Sequence, residues 1–199
     1  MNLTALLDDP RLFRFSQKLN PMTVGLYRQL LERHVASQPI ASVLDIGCGV
    51  GAHRPLFPGK RYAGVDVNPA YIAMATRTYG DGFRVMDAGA LDFPTGTFDA
   101  AFTTATCHHI DDDTVESMVR EALRVVTPGG AFHIVEPVVP VSPRAAVKRL
   151  LFANDRGRHQ RTLEALTSLL QKRARIETVD MHAGVLHDVC YVRLAATRP

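Results

Sequence analysis

The chain has 199 residues, 22% charged and 46% hydrophobic, with a net charge of +3. That composition suits one globular domain with room for a sizeable core. The net charge is too small to argue for nucleic acid by itself, and no apolar run approaches the ~20 residues of a membrane-spanning helix. Cys48, Cys107 and Cys190 are scattered, with no paired metal spacing and no disulfide framework, so no metal site is expected and a reducing cytoplasm is. The first residues lack the basic start and apolar core of a secretion signal. Charge is uneven: residues 144–175 hold nine Lys or Arg against Asp155 and Glu164, a local +7 that leaves −4 for the rest.

In chain order, residues 1–20 read as short helical pieces, broken at Pro10 and ended near Pro21. From Thr23, the apolar positions Leu26, Leu30, Leu31 and Val35 recur at helical spacing. Val43–Ile46 is a buried strand, followed by Gly47, Gly49 and Gly51 in a turn that opens a short helix ending near Leu56. Glycines there accept positive φ and let a ligand approach the backbone, and free N–H groups at a helix start favour an electron-rich ligand. Arg61–Asp66 is the second strand. Asn68-Pro69 caps a helix that stops near Gly80. Gly82–Met86 and the run ending at Thr104 are the third and fourth strands, separated by a loop at 91–97.

Asp113-Thr-Val-Glu116 has the form of a capping box, opening a helix whose stripe is Val115, Met118, Val119, Ala122, Leu123 and Val126. Thr127-Pro-Gly-Gly130 stops it before a fifth strand, Ala131–Val135. Three prolines make 137–143 a loop; a basic helix follows over 145–153 and another over Thr162–Gln171. Arg175–Met181 and Val185–Leu194 alternate and form an antiparallel hairpin across Gly184. Alternating βα units predict an α/β, doubly wound, Rossmann-like sheet with helices on both faces.

The glycine turn leaves two ligands open. Gly47-x-Gly49-x-x-Ala52, with Asp66 19 residues beyond Gly47, formally fits a dinucleotide fingerprint. Asp45 speaks against it, because a carboxylate at the strand end repels a pyrophosphate and attracts a cation. The stretch Asp45-Ile-Gly47-Cys-Gly49-Val-Gly51 closely resembles the first motif of class I S-adenosylmethionine (SAM)-dependent methyltransferases, of the small stand-alone kind. Asp66, Asp87-Ala88, Phe98-Asp99 before the fourth strand and the Pro128-Gly-Gly turn match further family features.

The resemblance implies SAM as cofactor, S-adenosylhomocysteine (SAH) as product and a seven-stranded, mostly parallel sheet whose last strand is antiparallel. It also implies a cofactor contact at Asp45, Gly47, Gly49, Asp66, Val67, Asp87, Ala88 and Thr104, with Asp66 on the ribose and Asp87 on the adenine amino group. On this reading 1–199 is a single domain: a helical cap at 1–40, the cofactor core at 41–136, a basic lid at 137–173 and a hairpin at 174–199. The motifs cover about residues 40–136.

Methyl transfer is a displacement at carbon, so alignment and water exclusion carry much of the work, and a base is needed only when the nucleophile must lose a proton. His108 and His109 follow the fourth strand, where the family places substrate, and are the candidate catalytic residues; packing under the sheet edge is the competing role. Arg156, Arg158 and His159, with Arg161 beside them, are candidates to clamp an anionic acceptor, or else form a solvated face. His182 and His187 read as surface residues. The fourth strand leads into Thr-Ala-Thr-Cys-His-His rather than the Asn/Asp-Pro-Pro-Tyr signature of nucleic-acid amino-methyltransferases, and there is no Trp. A small-molecule acceptor of an O, N or C methyl group is therefore expected, with no nucleic-acid partner, in a monomer or homodimer. A SAM-binding protein without methyl transfer and an NAD(P)-dependent enzyme remain alternatives.

Overall fold

The computed structural model describes residues 9–12, 21–141, 157–184 and 187–195. The basic helix expected over 145–153, Arg156 and most of 1–20 lie outside them. The described elements are α1 (Pro21–Leu31, continued by a π-helical turn, Glu32–Ala36), β1 (Ser42–Ile46), β2 (Arg61–Asp66), α2 (Pro69–Tyr79), β3 (Phe83–Val85), β4 (Phe98–Thr104), α3 (Asp112–Val125), β5 (Val126–Val138), α4 (Leu163–Gln171), β6 (Arg175–His182) and β7 (Asp188–Ala195).

The seven strands form one sheet in the order β3-β2-β1-β4-β5-β7-β6. Pairing is parallel from β3 through β5, and β7 alone runs against its neighbours β5 and β6. This is the expected doubly wound α/β sheet with an antiparallel last strand.

β1 is buried along its whole length because helices cover both faces. Leu44 and Ile46 join the core beneath α3 and α4, together with Val65, Met118, Phe132 and Leu169. Val43 joins the opposite core beneath α1 and α2, with Leu30, Leu31, Tyr62, Ile72 and Phe102. Asp45 shares the face of Val43, so strand periodicity carries a carboxylate into the protein interior. On α3, Val115, Met118, Val119, Ala122 and Val125 are buried at helical spacing. Each buried Val or Met contributes about 1.5–3 kcal/mol, and truncating fully buried Met118 to Ala would cost about 2–5 kcal/mol.

Several boundaries differ from the sequence reading. Asp111, not Asp113, caps α3, its carboxylate accepting from the Thr114 N–H at 2.8 Å. Glu116 is free to bind Lys172 and Arg173 of the segment after α4. The Thr127–Gly130 stretch is a bulge within β5: Phe98 pairs with Val126, while Ala100 pairs with Ala131. β5 also continues past Val135 to Val138, because β7 supplies a pairing partner along that length. Asp99 explains its place ahead of β4, where one carboxylate oxygen accepts from the Ala41 and Ser42 N–H groups and the Ser42 hydroxyl, tying β4 to the start of β1. Among the described residues no helix is long and apolar enough to cross a membrane.

Candidate active site

The glycine turn is tighter than a helix start. Gly47, Gly49 and Gly51 have φ of +73°, +54° and +77°, and a Cβ on Gly47 would sit 2.5 Å from the Thr106 hydroxyl. Four of the turn's N–H groups are already taken. Gly47 and Cys48 donate to the Val65 carbonyl, Gly49 donates to Asp66 Oδ2 at 2.9 Å, and Gly51 donates to Cys48. Nor does a regular helix follow: turns lead to a single 3-10 turn, Arg54–Leu56. A pyrophosphate would find no regular helix N-terminus and would meet two carboxylates.

Those carboxylates differ. Asp45 is fully buried; its Oδ2 accepts from the Tyr62 hydroxyl at 2.5 Å, and its Oδ1 has no hydrogen-bond partner. Burial pushes its carboxyl up to about 7, opposed by the Tyr62 hydrogen bond and helped by the charge of Asp66. Asp66, at the end of β2, accepts from Gly49 on one oxygen and from the Asn68 N–H on the other. Each oxygen keeps a second lone pair for a ligand hydroxyl. Val67 beside it is 67% exposed. Asp87 is exposed and accepts from the Gly89 N–H through one oxygen, with Ala88 half-buried next to it.

Thr104 ends β4 and is joined to a residue the sequence reading passed over. His53 Nε2 lies 3.0 Å from the Thr104 hydroxyl, and the ring meets Phe102 edge-on. His53 is 8% exposed, and its Nδ1 is buried without a partner. Burial first, then the Arg28 guanidinium, lowers its pKa to about 4, so the ring is neutral. Ala105, directly after Thr104, has φ +49°, a strained value for a residue with a Cβ and a common mark of a functional turn.

On the far side of β4, His108 is buried and His109 exposed. Glu136, near the end of β5, accepts the backbone N–H groups of Thr106, Cys107 and His108 and the His108 ring at Nδ1, 2.6 Å away. No sequence motif points to Glu136; the extension of β5 against β7 and the turn at 107–109 bring these four donors to it. Arg161 holds the same turn from outside, donating to the carbonyls of Cys107 and Ile110 and to Asp112. It is thus a structural clamp, not a free cation for an acceptor. His159 donates its backbone N–H to the His108 carbonyl, and a Cβ on Gly157 would strike the His108 ring. Residues 157–159 therefore lie over His108. The side chains of Arg158 and His159 are exposed.

His182 and His187 are not simply surface groups. His187 is 7% exposed and bonds the Tyr27 hydroxyl, and His182 Nε2 is buried. With His133 bonded to Tyr191, and His34 stacked on Tyr191, they form a polar layer where α1 and its π-helical turn cross β5–β7. Cys48, Cys107 and Cys190 are buried free thiols, their pKa values raised by burial. Among the described residues no His, Cys, Asp and Glu group is arranged to hold a metal.

Residues 44–134 match the sequence model of a family described as a methyltransferase domain. The chain is 33% identical over 105 residues to 2-methyl-6-phytyl-1,4-hydroquinone methyltransferase of Synechocystis, covering 49% of this chain and 32% of that protein. It is 30% identical over 130 residues to sterol 24-C-methyltransferase of Yarrowia lipolytica, covering 57% and 34%. The chain thus spans about a third of the length of these curated relatives. Among solved structures, a Pyrococcus horikoshii protein superposes with a TM-score of 0.70 at 19% identity, over 93% of this chain and 91% of that one. A SAM-dependent methyltransferase from Methanosarcina mazei gives 0.67 at 23%, over 83% and 97%. A cyclase, SpnF, gives 0.68 at 18%, over 86% and 80%. Residues 44–134 thus carry a methyltransferase-domain match, and the glycine turn, the two carboxylates and the sheet order agree with the resemblance to class I SAM-dependent methyltransferases.

Proposed function

We propose that this chain transfers the SAM methyl group to an O, N or C nucleophile of a small, possibly anionic, metabolite in the cytoplasm. The observation that carries the cofactor half is Asp45, a buried carboxylate with one oxygen unpartnered beneath the glycine turn. An ammonium satisfies that oxygen; a pyrophosphate does not. Asp66 and the glycine cradle fit ribose hydroxyls, Asp87 the adenine edge, and Thr104 the region of β4 next to the reacting carbon.

SAM, when bound, supplies a sulfonium leaving group and an electrophilic methyl. The protein's part is positioning and, for an acidic nucleophile, proton removal. Glu136 accepts from His108 Nδ1, which places the imidazole proton there and leaves Nε2 as the basic nitrogen. His109 is the more exposed of the pair and lies against His108, ring centroids 4.0 Å apart. The basic segment retains Arg158 and His159, with Arg156, as contacts for an anionic group. The relatives named above act on a prenylated hydroquinone and on a sterol, which makes apolar isoprenoid acceptors the first compounds to screen.

A second reading keeps SAM but not transfer. It is favoured by the burial of His108 against Glu136 under residues 157–159, and the cyclase among the structural neighbours has a name that is not a methyltransferase's. Parallel calorimetric titrations with SAH, SAM and NADH test the cofactor. Micromolar binding of the first two, lost in Asp66→Ala, supports the proposal; binding of NADH alone overturns it. Conversion of SAM to SAH with a hydroquinone, sterol and carboxylate panel then separates transfer from binding. Tight SAH binding with no turnover on any of them would favour the second reading.

A further inference from the structure

We propose that His53, assisted by Arg28, binds the carboxylate of the amino-acid end of SAM, facing the ammonium held by Asp45. The inference rests on the cofactor reading above and assigns this chain's own groups within it. Sheet order sets the direction of the ligand. The ribose acceptor Asp66 ends β2 and the adenine acceptor Asp87 follows β3, so the adenosine lies over β2 and β3. The remainder of the molecule must extend the other way, over β1 and β4.

Two buried polar atoms without a partner occur in that part of the sheet: Asp45 Oδ1 on β1 and Nδ1 of His53, which is anchored to Thr104 at the end of β4. They are complementary to a zwitterion. Asp45 and Phe102 are cross-strand neighbours, and the His53 ring packs on Phe102, so both groups sit on one face beneath the glycine turn. The Thr104 hydroxyl can donate to Nε2; the neutral ring then carries its proton on Nδ1, where it donates to a carboxylate. Arg28, on α1, is exposed, is close enough for its charge to act on His53, and makes no ion pair among the described residues. It supplies the positive field that a carboxylate needs. The other buried nitrogens without partners, on His34 and His182, belong to the layer near β6 and β7, away from the glycine turn.

The test compares SAH with 5′-methylthioadenosine, which keeps the adenosine and sulfur but lacks the amino-acid end. Calorimetry on His53→Phe, which preserves ring volume but no donor, should show SAH binding weakened about 10- to 100-fold and methylthioadenosine binding unchanged. His53→Asn, whose amide can place a donor near the Nδ1 position, should recover most of the SAH affinity. Arg28→Gln should weaken SAH by a smaller, salt-dependent factor. Equal loss for both ligands would mean that His53 only shapes the pocket, and unchanged SAH affinity in both His53→Phe and Arg28→Gln would remove the assignment. Failure of the wild-type chain to bind either nucleoside would overturn the cofactor reading, and this inference with it.

Discussion

At the ends of β1 and β4, Asp45 and His53 each keep one buried polar atom without a partner, whereas near the end of β5, Glu136 spends its carboxylate on four donors. The first region carries unmet hydrogen-bonding capacity, which is costly in a protein interior unless a ligand meets it. The second is closed on itself: Glu136 from inside and Arg161 from outside hold the turn that bears His108. The difference teaches that charge and histidine content alone do not locate a ligand-binding group. Here the conspicuous Arg161 is structural, while the quieter His53 is the group with capacity to spare.

The largest expected effect tests the closed side. Glu136→Ala leaves three N–H groups and an imidazole without their acceptor and should cost about 3–5 kcal/mol in urea unfolding. A loss below about 1 kcal/mol would show that water replaces the carboxylate easily and that the turn is not held from within. Next, Asp66→Ala should weaken SAH by about 100-fold, because a ribose loses a charged acceptor. An unchanged dissociation constant would mean that the carboxylate serves only Gly49 and Asn68.

Arg161→Ala should cost about 1.5–3 kcal/mol, and Arg161→Lys should restore little, since an ammonium cannot span two carbonyls and Asp112 as the guanidinium does. Full rescue by Lys would reduce the clamp to a simple charge effect.

The smallest effect is a pH dependence. Because the folded carboxyl of Asp45 is raised to about 7, its contribution to the ligand-free fold is present below the usual carboxylate range and lost as pH rises through 7. An ammonium prefers the ionised form, so SAH affinity should rise about tenfold between about pH 6 and 8, and Asp45→Asn should flatten the profile. His53 and His133 act in the opposite sense. Burial lowers them to about 4 and about 3, so the stability they contribute is present above 6.5 and lost as pH falls through those values. Thermal melts should therefore show acid destabilisation below about pH 6.5, reduced in His133→Phe. A wild-type SAH affinity independent of pH would remove the role given to Asp45.

The glycine spacing, the acidic strand ends and the βα alternation are local features, and they determined the fold class and put Asp45, Asp66 and Asp87 at or near strand ends. Strand periodicity sufficed because parallel strands buried on both faces read as continuous apolar runs. Tertiary structure decided what depended on residues far apart in the chain. The register of β1 against β2 put the Tyr62 hydroxyl on Asp45. The fold of the glycine turn onto β4 brought His53 to Thr104, 51 positions away. The β5 extension, paired with β7, carried Glu136 to a turn 28 residues earlier in the chain. No local pattern encodes such pairings, because a side chain's partner is set by where the backbone has already gone.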